Sequence, residues 1–368
     1  MAHVRRVELS EIIGELPELA IFDPRSVVSS VPDDLFLCAL GFEPRCLALP
    51  QLLAESGYRS ERAFFFEYDT NAVDNDVNRR ELTKCLHTMA NSVQALPLKD
   101  PDFPNEMRRL LESLSGNGAG TGPKITFDCS VAANRIVVTT MALLCETDAD
   151  LRVLYSEAAT YHPTREEYEA QPANWREESL LGLARGVSDV RPSREIPGQH
   201  FDPLPDAIIL FPTFKPERSQ AVIDYVDPAL IGTRGEQIIW LVGIPHLGGN
   251  DWRISALKEI NGLTSEDVQH EVSTFHYQET LKELDSIYNQ LAGTYKLTLS
   301  PLGSKMQALG SSLFSYLHPD VRIVFAVPKE YNAAQYSGGC REMWSIDFGS
   351  LPKLRERLTR VGMLVVDD

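Results

Sequence analysis

"KITFDCSVAANRIVV", residues 124–138, begins as a strand and ends as a helix. Apolar alternation runs to Phe127, the polar turn Asp128-Cys129-Ser130 interrupts it, and a helical period follows with Asn134 and Arg135 in its first turn. A buried strand that hands over to a helix in a few residues is the building unit of a parallel α/β sheet. The turn requires small or capping residues, and Asp128 and Ser130 meet that need. It does not require Arg135. A cation at a helix start opposes the helix dipole, whereas exposed N–H groups beside a cation suit a phosphate.

Outward from this junction the same grammar recurs. Toward the N-terminus, "LFLCAL" (35–40) and "AFFFEY" (63–68) read as strands, with helical patterns at about 77–92 and 103–114 and a glycine-rich loop at 115–122. Toward the C-terminus come a helix at 132–145 and a strand "LRVLY" at 151–155. Residues 186–205 carry four prolines without apolar period and read as a linker. The order then restarts with strands at 207–211, 237–244, 295–300 and 321–327, the third of them followed by "PLGSK" and a helix to about Leu317.

The restart keeps a near-constant spacing. Arg45 and Arg218 lie 173 apart, Asp128 and Ser300 172, Arg152 and Arg322 170, Tyr161 and Tyr331 170, and Trp175 and Trp344 169. The expected fold is α/β: two tandem Rossmann-like parallel-sheet domains related by internal duplication, at 15–190 and 200–368. This is duplication of a whole domain, far longer than the ~20–50 residues of a solenoid repeat.

The chain has 368 residues, 43% of them hydrophobic and 24% charged, with a net charge of −17. That balance argues against broad duplex DNA binding, which draws its affinity from basic surfaces. No apolar run reaches the ~18 residues of a membrane helix. The start lacks the apolar segment of a secretory signal, and the six scattered cysteines form no C-x-x-C pair, so a cytoplasmic protein with no membrane segment, cofactor or structural zinc is expected. His162 stands alone, without further ligands at metal spacing.

Open parallel sheets bind ligands at the carboxyl ends of their strands. The candidates there are Asp128, Ser130, Asn134 and Arg135 in the first domain, and Ser300, Gly303, Ser304 and Lys305 in the second. Gly303 would allow close approach of a ligand to the backbone. The first-strand junctions "GFEPRC" and "TFKPERS" add Arg45 and Arg218. The acidic turn "YDTNAVDND" offers Asp69, an acid where such folds hold ribose, with Asp74 and Asp76 nearby; it lacks the alternation of a calcium loop. Tyr161 and Tyr331 follow the last core strands and could stack on bases or pack structurally. Each junction also has a purely structural reading: Asp128 and Ser130 as caps, Arg135 as half of an ion pair, and the acidic turn as a solvated helix start. P-loop, G-x-G-x-x-G, nucleophile-elbow and H-E-x-x-H motifs are absent.

At "DCSVAANR" and "PLGSKMQ" the chain resembles the CRISPR-associated Rossmann-fold ligand sensors, the CARF family, and the related SAVED domains, which resemble two fused CARF units. That resemblance implies a cytoplasmic sensor of a nucleotide-type phosphorylated ligand, such as a cyclic oligonucleotide, in bacterial antiviral defence, acting through a partner protein that carries the effector activity. The second domain lacks the Asp of the pattern and the first lacks its Gly. The alternatives are a nucleotide hydrolase or transferase, and a ligand-free scaffold subunit.

Overall fold

The computed structural model describes residues 3–68, 71–98, 102–114, 122–170, 186–201, 203–329 and 336–367. In chain order the strands are β1 (His3–Arg6), β2 (Ala20–Ile21), β3 (Asp33–Ala39), β4 (Ser60–Glu67), β5 (Ala90–Pro97), β6 (Lys124–Asp128), β7 (Asp150–Ser156), β8 (Thr160–Tyr161), β9 (Val187–Pro192), β10 (Asp206–Leu210), β11 (Ile238–Ile244), β12 (Val268–Ser273), β13 (Lys296–Ser300), β14 (Arg322–Pro328), β15 (Ser337–Gly338), β16 (Met343–Ser350) and β17 (Leu364–Asp367). Two compact units result. The first contains residues 1–133, 143–161 and 336–368, and the second residues 134–142 and 162–335.

The first unit is built on a sheet of order β2-β16-β7-β6-β3-β4-β5. Its strands β3 to β7 are parallel, as expected when helices form the crossovers. β3 and β6 are buried almost throughout because helices cover both faces. The helices Ala48–Ser56 and Ala72–Met89 bury Leu49, Leu53, Leu82 and Leu86 against Phe36, Tyr58 and Phe65. Gly57 ends the first of these helices at φ 87°, the left-handed conformation that glycine adopts without steric cost.

The second unit has a sheet of order β12-β11-β10-β13-β14-β9. Five strands are parallel and β9 runs antiparallel to β14. The helices Tyr277–Leu291 and Lys305–Leu317 bury Leu281, Leu284, Leu309 and Leu313. The two sheets therefore share one order: β5-β4-β3-β6-β7 followed by antiparallel β16 corresponds to β12-β11-β10-β13-β14 followed by antiparallel β9. These are two Rossmann-like α/β sheets.

Side chains repeat along with the topology. Thr126 pairs with Arg152 in register, and Thr298 with Arg322. Arg152 donates to Thr126 Oγ1 and lies 3.6 Å from Asp33; Arg322 donates to Thr298 Oγ1 and lies 3.7 Å from Asp206. The same Asp-Thr-Arg set thus recurs in both sheets, with its arginines at the spacing of 170 read from the sequence.

The segment 186–205 differs from the linker expected there. Its first part is β9, which supplies the antiparallel edge of the second sheet. β16, which follows the second unit's last parallel strand, supplies the antiparallel edge of the first sheet. The edge strands are thus exchanged along the chain, and neither unit is one continuous segment. The edge strands β5 and β12 also escaped the sequence reading. No helix among the described residues is long and apolar enough to cross a membrane.

Candidate functional site

In each sheet the crossover direction reverses once, between β3 and β6 in the first and between β10 and β13 in the second. The loops after those strands flank the switch point, where open α/β sheets bind ligands. In the first unit these loops carry Arg45, Asp128 and Ser130. In the second, Ser300 ends β13, Gly303 and Ser304 stand in the loop after it, and Arg218 and Lys305 lie in the first turns of the helices that follow β10 and β13. Asp69 and Tyr331 lie outside the described residues.

The first unit's switch point is occupied by its own charges. Arg45 is 5% exposed, and so is Glu43 two residues earlier. Arg45 Nε and Nη2 donate to the two oxygens of Glu43 (3.1 and 3.2 Å), and Nη1 donates to the Ser156 carbonyl at the end of β7 (3.0 Å). The Ser337 hydroxyl also donates to Glu43. Burial acts against the Arg45 charge, but the Glu43 carboxylate, joined by Tyr155 and Tyr161, outweighs it and raises the Arg45 pKa. Both partners of this bidentate pair are therefore committed within the protein.

Asp128 is 3% exposed at the end of β6. The Ser130 backbone N–H (2.9 Å) and hydroxyl both donate to Asp128 Oδ1, and Ser130 Oγ accepts from the Ser156 N–H (2.7 Å). Ser130 thereby ties the β6 turn to the end of β7. Burial pushes the Asp128 carboxyl up to about 6, against the lowering influence of the Ser130 bonds and the Arg45 charge. Tyr155 and Tyr161 share a hydrogen bond (2.9 Å), and burial raises the Tyr155 hydroxyl. Of the acidic turn, Asp74 accepts from the Asn71 side chain (2.9 Å) and Asp76 pairs with Arg79, side-chain pairs on the solvated start of a helix that carries no side-chain cap.

The second unit's switch point has a different character. The 13-residue helix Lys305–Leu317 opens there with Ser304 as its cap. Ser304 Oγ accepts from the Gln307 N–H (3.1 Å), and Gln307 Oε1 accepts from the Ser304 N–H (2.8 Å), a complete capping box. The room left by the missing side chain of Gly303 is taken up by Gln307 Oε1. Gly303 thus serves the cap, where close approach of a ligand had been expected. Ser300 Oγ donates to the Val324 carbonyl (2.9 Å), linking β13 to β14 as Ser130 links β6 to β7.

The cations remain. Lys305 occupies the first helical position, half-buried, and donates to Asn134 Oδ1 (3.1 Å). Asn134 Nδ2 donates to the carbonyls of Pro301 (2.9 Å) and Gly303 (2.7 Å), which fixes the loop ahead of the helix. Arg135 follows in the first turn of Asn134–Cys145, also half-buried. Arg218 donates to the Ala326 carbonyl at the end of β14 (3.3 Å), the position 170 residues beyond the Ser156 carbonyl that receives Arg45.

Two residues at these junctions escaped the sequence reading. Glu43 and Lys215 each stand immediately before the proline that opens a helical turn, at a spacing of 172. Phe42-Glu43-Pro44-Arg45 thus corresponds to Phe214-Lys215-Pro216-Glu217, with Arg218 one residue beyond the Arg45 position. Lys215 is 3% exposed, with Glu217 at 3.8 Å, and burial lowers its pKa against the influence of that carboxylate. The shared Phe-x-Pro was the signal available in the sequence, and aligning the arginines instead hid it.

No protein-family model matches the chain, and no curated protein matches it. Among solved structures it is similar to a type III CRISPR defence DNA nuclease activated by cyclic oligoadenylate, with a TM-score of 0.43 and 11% identity over 75% of this chain and 63% of the other, so it spans less than two thirds of that protein. It is also similar to the cytoplasmic domain of a prokaryotic cation chloride cotransporter, with a TM-score of 0.24 and 8% identity over 83% of this chain and 99% of that domain.

Proposed function

We propose that this chain is a binding module for a nucleotide-type phosphorylated ligand, held at the switch point of the second sheet, and that it signals through a protein partner. The observation that carries the reading is the pair of cations Arg218 and Lys305 at that switch point in a chain of net charge −17. A cation at a helix start runs against the helix dipole, so Lys305 is poorly placed for stability and well placed beside an anion. The first switch point is a poorer seat, because Arg45 already holds a carboxylate and Asp128 adds an acid. The short motifs shared with CARF and SAVED domains suggest a cyclic oligonucleotide of antiviral defence as the ligand.

The test is a thermal-shift and calorimetric screen of cyclic oligoadenylates, their linear counterparts and inorganic pyrophosphate. A ligand at about 100 times its Kd stabilises the native state by about 2.7 kcal/mol, a readily measured rise in Tm. Stabilisation without turnover supports the reading. Absence of any shift, or magnesium-dependent conversion of the nucleotide, defeats it in favour of the scaffold or the enzyme.

A further inference from the structure

We propose that residues 336–341 form a strap that closes the first unit's switch point and opens on its own while the sheet stays folded, so that the chain itself gates Arg45, Glu43 and Asp128. The strap's contacts trace its course. At one end the Tyr336 ring meets the Phe42 ring edge-on, with centroids 5.5 Å apart, and the Ser337 hydroxyl donates to Glu43. Phe42 and Glu43 belong to the loop after β3. At the other end the Arg341 N–H donates to the Glu157 carbonyl and the Glu157 N–H donates to the Glu342 carbonyl, both at 2.8 Å. Glu157 directly follows β7. In the sheet β6 lies between β7 and β3, so a segment reaching from the loop after β3 to the end of β7 passes the end of β6, where Asp128 stands. The charges of Arg45 and Asp128 both act on the Cys340 thiol, as that course requires.

What holds the strap is slight beside what holds the sheet. β15 and β8 pair over two residues each, Ser337 opposite Tyr161 and Gly338 opposite Thr160. β16, the strand into which the strap leads, pairs with β7 at seven positions and buries Ile346 and Phe348, so it stays in place when the strap lifts. None of residues 336–341 is buried. A two-residue ladder with no buried side chain is the kind of element that opens locally before the core does. Gly339 lies in the left-handed region at φ 65°, and a Cβ there would stand 3.1 Å from Ala159 Cβ, so the strap turns where glycine fits best. The loop on which it rests is buried: Glu43 and Arg45 are 5% exposed and Cys46 is 1% exposed. Lifting the strap takes the Ser337 hydroxyl from Glu43 and uncovers that loop.

The experiment is hydrogen exchange on the full chain across a series of low urea concentrations, with thiol labelling beside it. Strap amides should exchange by local opening, at a rate that urea barely changes, while amides of β3, β6 and β7 follow the urea-dependent global transition. Strap amides whose exchange rises with urea in step with β6 overturn the proposal. Ser337→Ala removes a hydrogen bond to a carboxylate and should speed strap exchange by about tenfold or more, with the β6 rate unchanged. Gly339→Ala, strained at its left-handed position, should also speed it. An unchanged strap rate in Ser337→Ala overturns the latch. With a thiol reagent, the exposed Cys340 should react at once and Cys46 at the rate of strap opening, faster in Ser337→Ala, and the slow phase should vanish in Cys46→Ala. A Cys46 that reacts only on global unfolding overturns the gate. Should Gly339→Ala fail to fold, wild-type exchange and Ser337→Ala decide. No ligand enters either measurement, so the outcome is independent of the nucleotide-binding reading.

Discussion

Replacing Asp128 by Asn should stabilise the first unit at neutral pH and leave it unchanged in acid. The carboxyl is buried, and its pKa rises from the ordinary 3.8 to about 6. The folded state therefore binds the proton more tightly than the unfolded chain does. The stability this provides is complete below the unfolded value near 3.8 and is lost as the pH climbs through about 6. Two pKa units of displacement correspond to about 3 kcal/mol. Both Ser130 donors converge on Oδ1, an oxygen that Asn retains, so the neutral amide keeps the geometry without the buried charge. Urea unfolding of both proteins at about pH 4 and about pH 7.5, followed on the first unit's transition, isolates this group from all others. The variant should gain up to about 3 kcal/mol over wild type at the higher pH and nothing at the lower. A pH-independent difference refutes the reasoning. So does a variant less stable than wild type near pH 7.5, which would mean that ionised Asp128 is held productively by the Arg45 charge.

Arg45→Met should cost about 3–5 kcal/mol by stranding the buried Glu43 carboxylate, and adding Glu43→Gln should recover much of it, as chemical denaturation of the single and double variants would show. Gly310→Ala should cost about 1–3 kcal/mol in thermal melts, because the new methyl would lie 2.5 Å from the Tyr277 carbonyl and 2.9 Å from Thr280 Cβ. With a net charge of −17, the chain should give no gel shift with random duplex DNA at sub-micromolar concentration near physiological salt; a retarded band would contradict the charge argument.

The strands that could be read from the sequence are those buried on both faces. "KITFD" was placed at 124–128 and is β6, and the apolar runs near 207–211 and 237–244 are β10 and β11 within one or two residues. Edge strands resisted. "ANSVQALP" and "VQHEVS" have weak apolar alternation because one side and one edge face solvent, and their backbone pairing leaves no mark on composition. β9 lay hidden among prolines because a strand paired on one edge tolerates Pro192 at its end. The exchange of β9 and β16 is a long-range pairing that local pattern does not encode. At the site, residue types at the junctions were legible but their commitments were not. Ser304 caps a helix, Gly303 makes room for Gln307, and Arg45 belongs to Glu43, and each of these contacts depends on packing rather than on spacing.

The most direct test of the nucleotide-binding account is a crystal structure of the chain bound to whichever oligonucleotide stabilises it. The account predicts a phosphate oxygen at hydrogen-bond distance, about 2.7–3.2 Å, from Lys305 Nζ, with Arg218 facing the same ligand and Glu43 still bonded to Arg45. A ligand phosphate seated on Arg45 in place of Glu43, or a ligand bound away from both switch points, would contradict it.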